Sequence, residues 1–207
     1  MKALEHICEM DPRYASMLSD VKPVKSNIVS LQITVSWGKE QHYELLSSLV
    51  LPEYVPEKIR NQIDIALNTA MYGWFTWELW DVAAHKAVDC YELGLREALA
   101  PHLEARNDKI ARRKRAEGKS LKPSDSLIKM GDLIGMAKAR GLLTDDEYNR
   151  SEGLRGLRNN FSHAYSSLLG NWALDILREC AELIVNIHSR PIGTGAAASV
   201  SDNESQS

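Results

Sequence analysis

LRGLRNNFSHAY, residues 154–165, is the stretch where this chain stops reading as ordinary helical protein. Arg158, Asn159, Asn160 and His163 crowd into six positions of an otherwise apolar helical pattern. Asn is a poor helix-interior residue, because its side chain competes for backbone hydrogen bonds. Two in a row, beside a permanent cation and a group that titrates near neutrality, point to chemistry rather than packing. Leu154, Leu157, Phe161 and Leu168 are spaced by three, four and seven, so they share one helix face. Asn159 and His163, four apart, fall together on the polar side. Arg158 and His163 are five apart, or ~140° around a regular helix. Arg's long stem, a bend in the helix, or two copies of the helix meeting at a dimer axis would each bring them together.

Working outward, Gly170 and Asn171 supply a break and a cap for a last helix to about Ser189. Its apolar stripe is Leu174, Leu177, Ala181, Ile184 and Ile187. Residues 191–207 are small and polar after Pro191, and a disordered tail is expected there. Upstream, Thr144 and Glu147 form a capping box for the helix that carries the motif. Pro123, Ser124 and Asp125 predict the start of another helix, with Ser124 or Asp125 as its cap. It is expected to run on through Leu127, Ile128, Met130, Leu133, Ile134 and Ala137 to near Gly141.

Residues 106–122, RNDKIARRKRAEGKSLK, hold eight Lys or Arg against Asp108 and Glu117, on a chain whose net charge is −3. Such a patch attracts phosphate backbones, and Arg112, Arg113, Lys114 and Arg115 are its candidate RNA-binding residues. A solvated loop or helix extension accounts for the same run without any partner. Pro56 suits the start of a helix marked by Ile59, Ile63, Leu67, Ala70 and Met71, which Gly73 ends or bends. A longer helix follows with Trp77, Trp80, Ala84, Ala87, Tyr91 and Leu95 as its stripe, and Pro101 in its last turn. The aromatics at 72, 74, 75, 77 and 80 follow this stripe, which favours core packing over ligand stacking. Residues 42–51 suit a short helix. Residues 29–37 alternate strictly between apolar and polar, the pattern of a strand with one buried face.

A 44% hydrophobic content is enough for a core, and a 26% charged fraction is ordinary for soluble protein. Three widely spaced cysteines form no ligand pattern, which predicts a reducing compartment and no metal site. No apolar run reaches the ~20 residues of a membrane span. The N-terminal residues lack the apolar core of a secretory signal, so a cytoplasmic protein without membrane contact is expected.

Arg158, Asn159 and His163, in the third of the long helices expected between Thr76 and Ser189, resemble the HEPN superfamily. That family's hallmark is an Arg, an adjacent polar residue and a His separated from the Arg by four to six residues; here four lie between Arg158 and His163. The resemblance spans residues 57–190, including REAL at 96–99 and LRGLRN at 154–159. It implies a four-helix bundle that dimerises through the motif helix. It also implies either a metal-independent endoribonuclease of toxin or antiviral systems, or a noncatalytic module that binds nucleotides or partner proteins. With Tyr165 the pattern is similar to the RxxxxHxY form of HEPN toxins. There a nucleotidyltransferase-type antitoxin attaches AMP to the tyrosine, which makes Tyr165 a candidate modification site.

The residues themselves suit metal-free RNA cleavage. His163 is assigned as the acid or base that moves a proton among the ribose 2′-OH, the phosphate and the leaving oxygen. Arg158 is assigned to clamp the phosphate and its transition state. Asn159 either fixes the imidazole or holds a phosphate oxygen. The bland alternative gives Arg158 an acidic partner and leaves His163 as an ordinary helix histidine. The expectation is therefore an all-α HEPN-like bundle over residues 57–190, with an appendage over 1–56 containing a short strand. It acts on RNA as a homodimer and needs no cofactor.

Overall fold

The computed structural model describes residues 39–161 and 170–191. Every regular element among them is helical. In chain order these are α1 (Lys39–Ser47), α2 (Glu57–Tyr72), α3 (Leu79–Ala98), α4 (Ala100–Ala116), α5 (Pro123–Ser126), α6 (Met130–Ala139), α7 (Asp145–Phe161) and α8 (Gly170–Ser189). The all-α expectation holds for these residues. The alternating segment 29–37, His163, Tyr165 and residues 192–207 lie outside them. Among the described residues no helix is long and apolar enough to cross a membrane.

Helix α3 is the central element and packs most extensively against α8 and α2. Its stripe behaves as the spacing requires: Trp80, Ala84, Ala87, Tyr91 and Leu95 are all buried. The facing stripe of α8 (Leu174, Leu177, Ala181, Ile184 and Ile187) is buried too. Gly94 allows the two helices to approach closely, since a Cβ there would stand 3.4 Å from Ile184 Cγ1. Each fully buried Leu or Ile contributes roughly 1.5–3 kcal/mol.

The core also takes in the segment before α2. Leu46, Leu49, Leu51 and Val55 are buried in the same cluster. His42 of α1 stands edge-on to Trp80 with ring centroids 5.4 Å apart, and tilted against Trp74 at 5.5 Å. Burial pushes its pKa down. Trp74, Trp77 and Trp80 are thus core residues, but Trp74 and Trp77 lie in the turn before α3 rather than on its stripe, and Tyr72 is exposed.

Two helix boundaries differ from expectation. Pro101 does not close the long helix. α3 ends at Ala98, Leu99 breaks the helical backbone (φ −94°, ψ 2°), and Pro101 sits in the first turn of α4. A proline there gives up no hydrogen bond. The helix expected to run unbroken from Pro123 is also two. Lys122, not Ser124 or Asp125, is the N-cap of α5, and its N–H donates to the Asp125 carboxylate at 2.7 Å. The chain is then extended at Leu127 and Lys129 before α6 begins. The cause is tertiary. Ile128 is buried, and its carbonyl accepts a 2.8 Å hydrogen bond from Arg96 Nη2 of α3. α6 ends at Ala139 and is closed by Gly141 (φ 73°) two residues on, where Leu142 N–H reaches Ala137 O and Gly141 N–H reaches Lys138 O. This double closure favours glycine at the left-handed position.

The capping box of α7 forms as expected. Thr144 N–H donates to Glu147 Oε2 at 2.8 Å, and Glu147 N–H to Thr144 Oγ1 at 3.2 Å. Glu147 is only 3% exposed and also binds Asn186 of α8 and Arg190 just past its end. Farther along α7, Tyr91 O–H donates to Ser151 Oγ, which donates to Glu147 O. Arg150 reaches Glu179 and Glu182 of α8. These contacts fix α7 against α3 and α8 and set which of its faces is left for the site.

Candidate phosphate-binding cleft on α7

The face of α7 left to solvent carries Arg155, Arg158 and Asn159. At spacings of three and four residues they are neighbours on the helix surface. All three line a cleft of about 600 Å³, whose other wall is the stretch from Ile128 to Asp132 that leads into α6. Glu92 of α3 closes the floor. The volume lies within the ~300–1,000 Å³ of ordinary ligand sites.

Arg158 is anchored from below. Its Nη1 donates to Glu92 Oε2, and its Nη2 lies 3.4 Å from Asp89 Oδ1. Glu92 is 9% exposed and shared, because Arg96 also donates to its Oε1, from Nη2 at 2.6 Å and from Nε at 3.2 Å. A carboxylate buried between two guanidiniums is compensated on both sides. The Arg158 side chain stays 40% exposed at the cleft. Arg155 pairs with Glu152 one turn back, at 2.6 and 2.9 Å, and that hydrogen bond pushes its pKa further up. Lys129 and Asn159 are exposed.

Of the sequence-derived site residues, Arg158 and Asn159 come together in the cleft. His163 and Tyr165 fall outside the described residues. Among the described residues that line the cleft there is no histidine, and the carboxylates there are Glu92 and Asp132. Arg112, Arg113 and Arg115 are exposed on α4, away from the cleft lining. Lys114 is not a loose member of that patch, for its Nζ holds Asp125 Oδ2 at 2.5 Å. This contact clamps α5 back onto α4. From Asp125 the chain reaches Lys129 in four residues, at most roughly 14 Å when extended. The basic end of α4 and the cleft are therefore tied by a short strap.

Arg155, Lys129, Gly131 and Glu92 were not among the sequence-derived residues. Arg155 carried a signal, since it precedes Arg158 by three and Asn159 by four. No group of His, Cys, Asp and Glu among the described residues is arranged to hold a metal ion. In comparisons with protein-family models, with curated proteins and with solved structures, nothing matches this chain.

Proposed function

We propose that the chain is a metal-independent endoribonuclease of the HEPN type, acting as a homodimer in a toxin or phage-defence setting. The observation that supports this reading is the cleft itself. Arg158 and Asn159 stand side by side in it, and Lys129 and Arg155 add positive charge. In this account a ribose 2′-oxygen attacks the adjacent phosphorus and the bond to the 5′-oxygen breaks. That leaves a cyclic phosphate on one fragment and a 5′-hydroxyl on the other. His163 takes the 2′-OH proton or delivers one to the leaving oxygen. Arg158 stabilises the charge gathering on the phosphoryl oxygens, and its anchoring by Glu92 means little rearrangement is needed. Asn159 orients the imidazole or the phosphate. A nucleotidyltransferase-type partner that modifies Tyr165 would silence the site.

A second reading has its own observation. The chain of contacts Arg96–Glu92–Arg158 would also serve a noncatalytic dimerisation or nucleotide-binding module, with Arg158 as a structural cation. Incubating the purified protein with total RNA in EDTA separates the two, with Arg158→Ala alongside. The nuclease reading expects cleavage by the native chain, and a variant that melts normally but cuts roughly 10²–10³ times more slowly. No cleavage by the native chain, with a large fall in the melting temperature of Arg158→Ala, is the outcome of the structural reading.

A further inference from the structure

Three cations converge on one cleft beside the start of α6. Lys129 is the N-cap residue of that helix. Arg155 lies across its first turn, over Gly131. A Cβ on Gly131 would stand 3.3 Å from Arg155 Cδ and 3.6 Å from Nε, so the absent side chain is what lets the arginine stem lie there. Arg158 follows Arg155 by one turn on the same face of α7.

Lys129 and Arg155 bring positive charge beside a helix start that is itself positive. The first N–H groups of a helix already make its start positive, and cations there are destabilising. The N-cap residue offers no side-chain hydrogen bond to those groups. Glu92 and Asp89 pair with Arg158, Glu152 pairs with Arg155, and Asp132 is the acidic residue of the first turn, so what a ligand meets beside Lys129 and Arg155 is the row of N–H groups at the start of α6. A phosphate oxyanion supplies what the arrangement lacks. It accepts from backbone N–H groups at the helix start and from the planar fork of an arginine together.

We infer that Lys129, Arg155 and the first turn of α6 form a phosphate subsite next to Arg158, seating a phosphate that neighbours the reacting one. The inference rests on the cleft being a phosphate-binding site, and is independent of whether the bound RNA is cut. Its shared chemistry is the phosphate oxyanion, from an RNA backbone diester or from the terminal monoester of a free nucleotide.

The test is fluorescence anisotropy with a labelled single-stranded RNA whose 2′-hydroxyls are methylated, so that it binds without being cleaved. Arg155→Gln and Lys129→Gln should each weaken binding by a factor on the order of tenfold. Each should also lower the slope of log affinity against log salt by about 1. Gly131→Val should weaken binding by displacing Arg155. Gly135→Val is the matched control in the same helix, because a Cβ there meets nothing within 4 Å. Competition by inorganic phosphate that is lost in Arg155→Gln assigns the site to a monoester. Dependence on Arg155 without such competition assigns it to a backbone diester. Native affinity and native salt slope in both charge variants, with normal melting, overturn the subsite. Failure of the nuclease reading looks different: the native chain would leave unmethylated RNA uncut in EDTA while the Arg155 and Lys129 effects on binding persist.

Discussion

Arg158 and Glu147 are both cations' or anions' partners on α7, and their surroundings give them different duties. Glu147 is 3% exposed and meets Arg190, Thr144 and Asn186. The Arg190 hydrogen bond, ahead of those from Thr144, holds its carboxyl at about 2, well below the ordinary 4.5. A carboxyl whose folded value is depressed stabilises the fold fully above its unfolded value. That contribution is lost as pH falls from about 4.5 through about 2. The amount at stake is on the order of 3 kcal/mol. The urea midpoint of the native chain should fall steeply across this window, and Glu147→Gln should start lower and flatten the dependence. Arg158 is more exposed, and Glu92 keeps Arg96 when Arg158 is removed. Arg158→Ala should therefore cost only about 1 kcal/mol, whereas Glu92→Ala strands two cations and costs more. The capping box at Glu147 was legible from spacing alone. Glu92 was not, because it meets Arg158 from 66 positions away and no local pattern announces that.

At the scale of elements, periodicity sufficed where a helix buries a continuous stripe. The faces of α2, α3 and α8 follow their apolar spacing. It failed at α4 through α6. None of the residues of α4 is buried, so no stripe marked it as a helix separate from α3. The break at 127–129 is imposed by Arg96 reaching across from α3, while Leu127 beside it is 73% exposed. Local helix propensity lost to one long-range hydrogen bond and a buried isoleucine. The basic run is the exposed end of α4, and its members differ in their surroundings. Arg112, Arg113 and Arg115 should contribute RNA affinity, while Lys114 clamps α5 through Asp125. Replacing the three arginines with Gln should weaken RNA binding and lower the salt slope by up to about 3. Melting temperature and the cleavage rate at saturating RNA should stay unchanged. Equal affinity and slope would leave the run as a solvated helix end.

At the scale of the whole molecule, one core from Leu46 to Ile187 holds α7 so that its polar face borders the cleft. The all-helical architecture of the described residues and most of that core were readable from the sequence, because burial of apolar stripes is a local code. The cleft was readable only by half. Arg158 and Asn159 were marked by composition, but their opposite wall is formed by a strap whose course no spacing rule predicts. In the proposed homodimer a second copy across a two-fold axis completes the site, as the sequence spacing of Arg158 and His163 suggested. Light scattering at micromolar concentration should accordingly give the mass of a dimer. A monomer with undiminished activity would remove the two-fold axis from the account.

The most direct measurement is the single-turnover cleavage rate of RNA in EDTA by the native chain, His163→Ala, Arg158→Ala and the double variant, each first shown to melt normally. His163→Ala should lose a factor of about 10²–10⁴, and the double variant should be scarcely slower than the worse single one, since both residues act in one step. A His163→Ala chain that cuts RNA at the native rate would contradict the catalytic assignment.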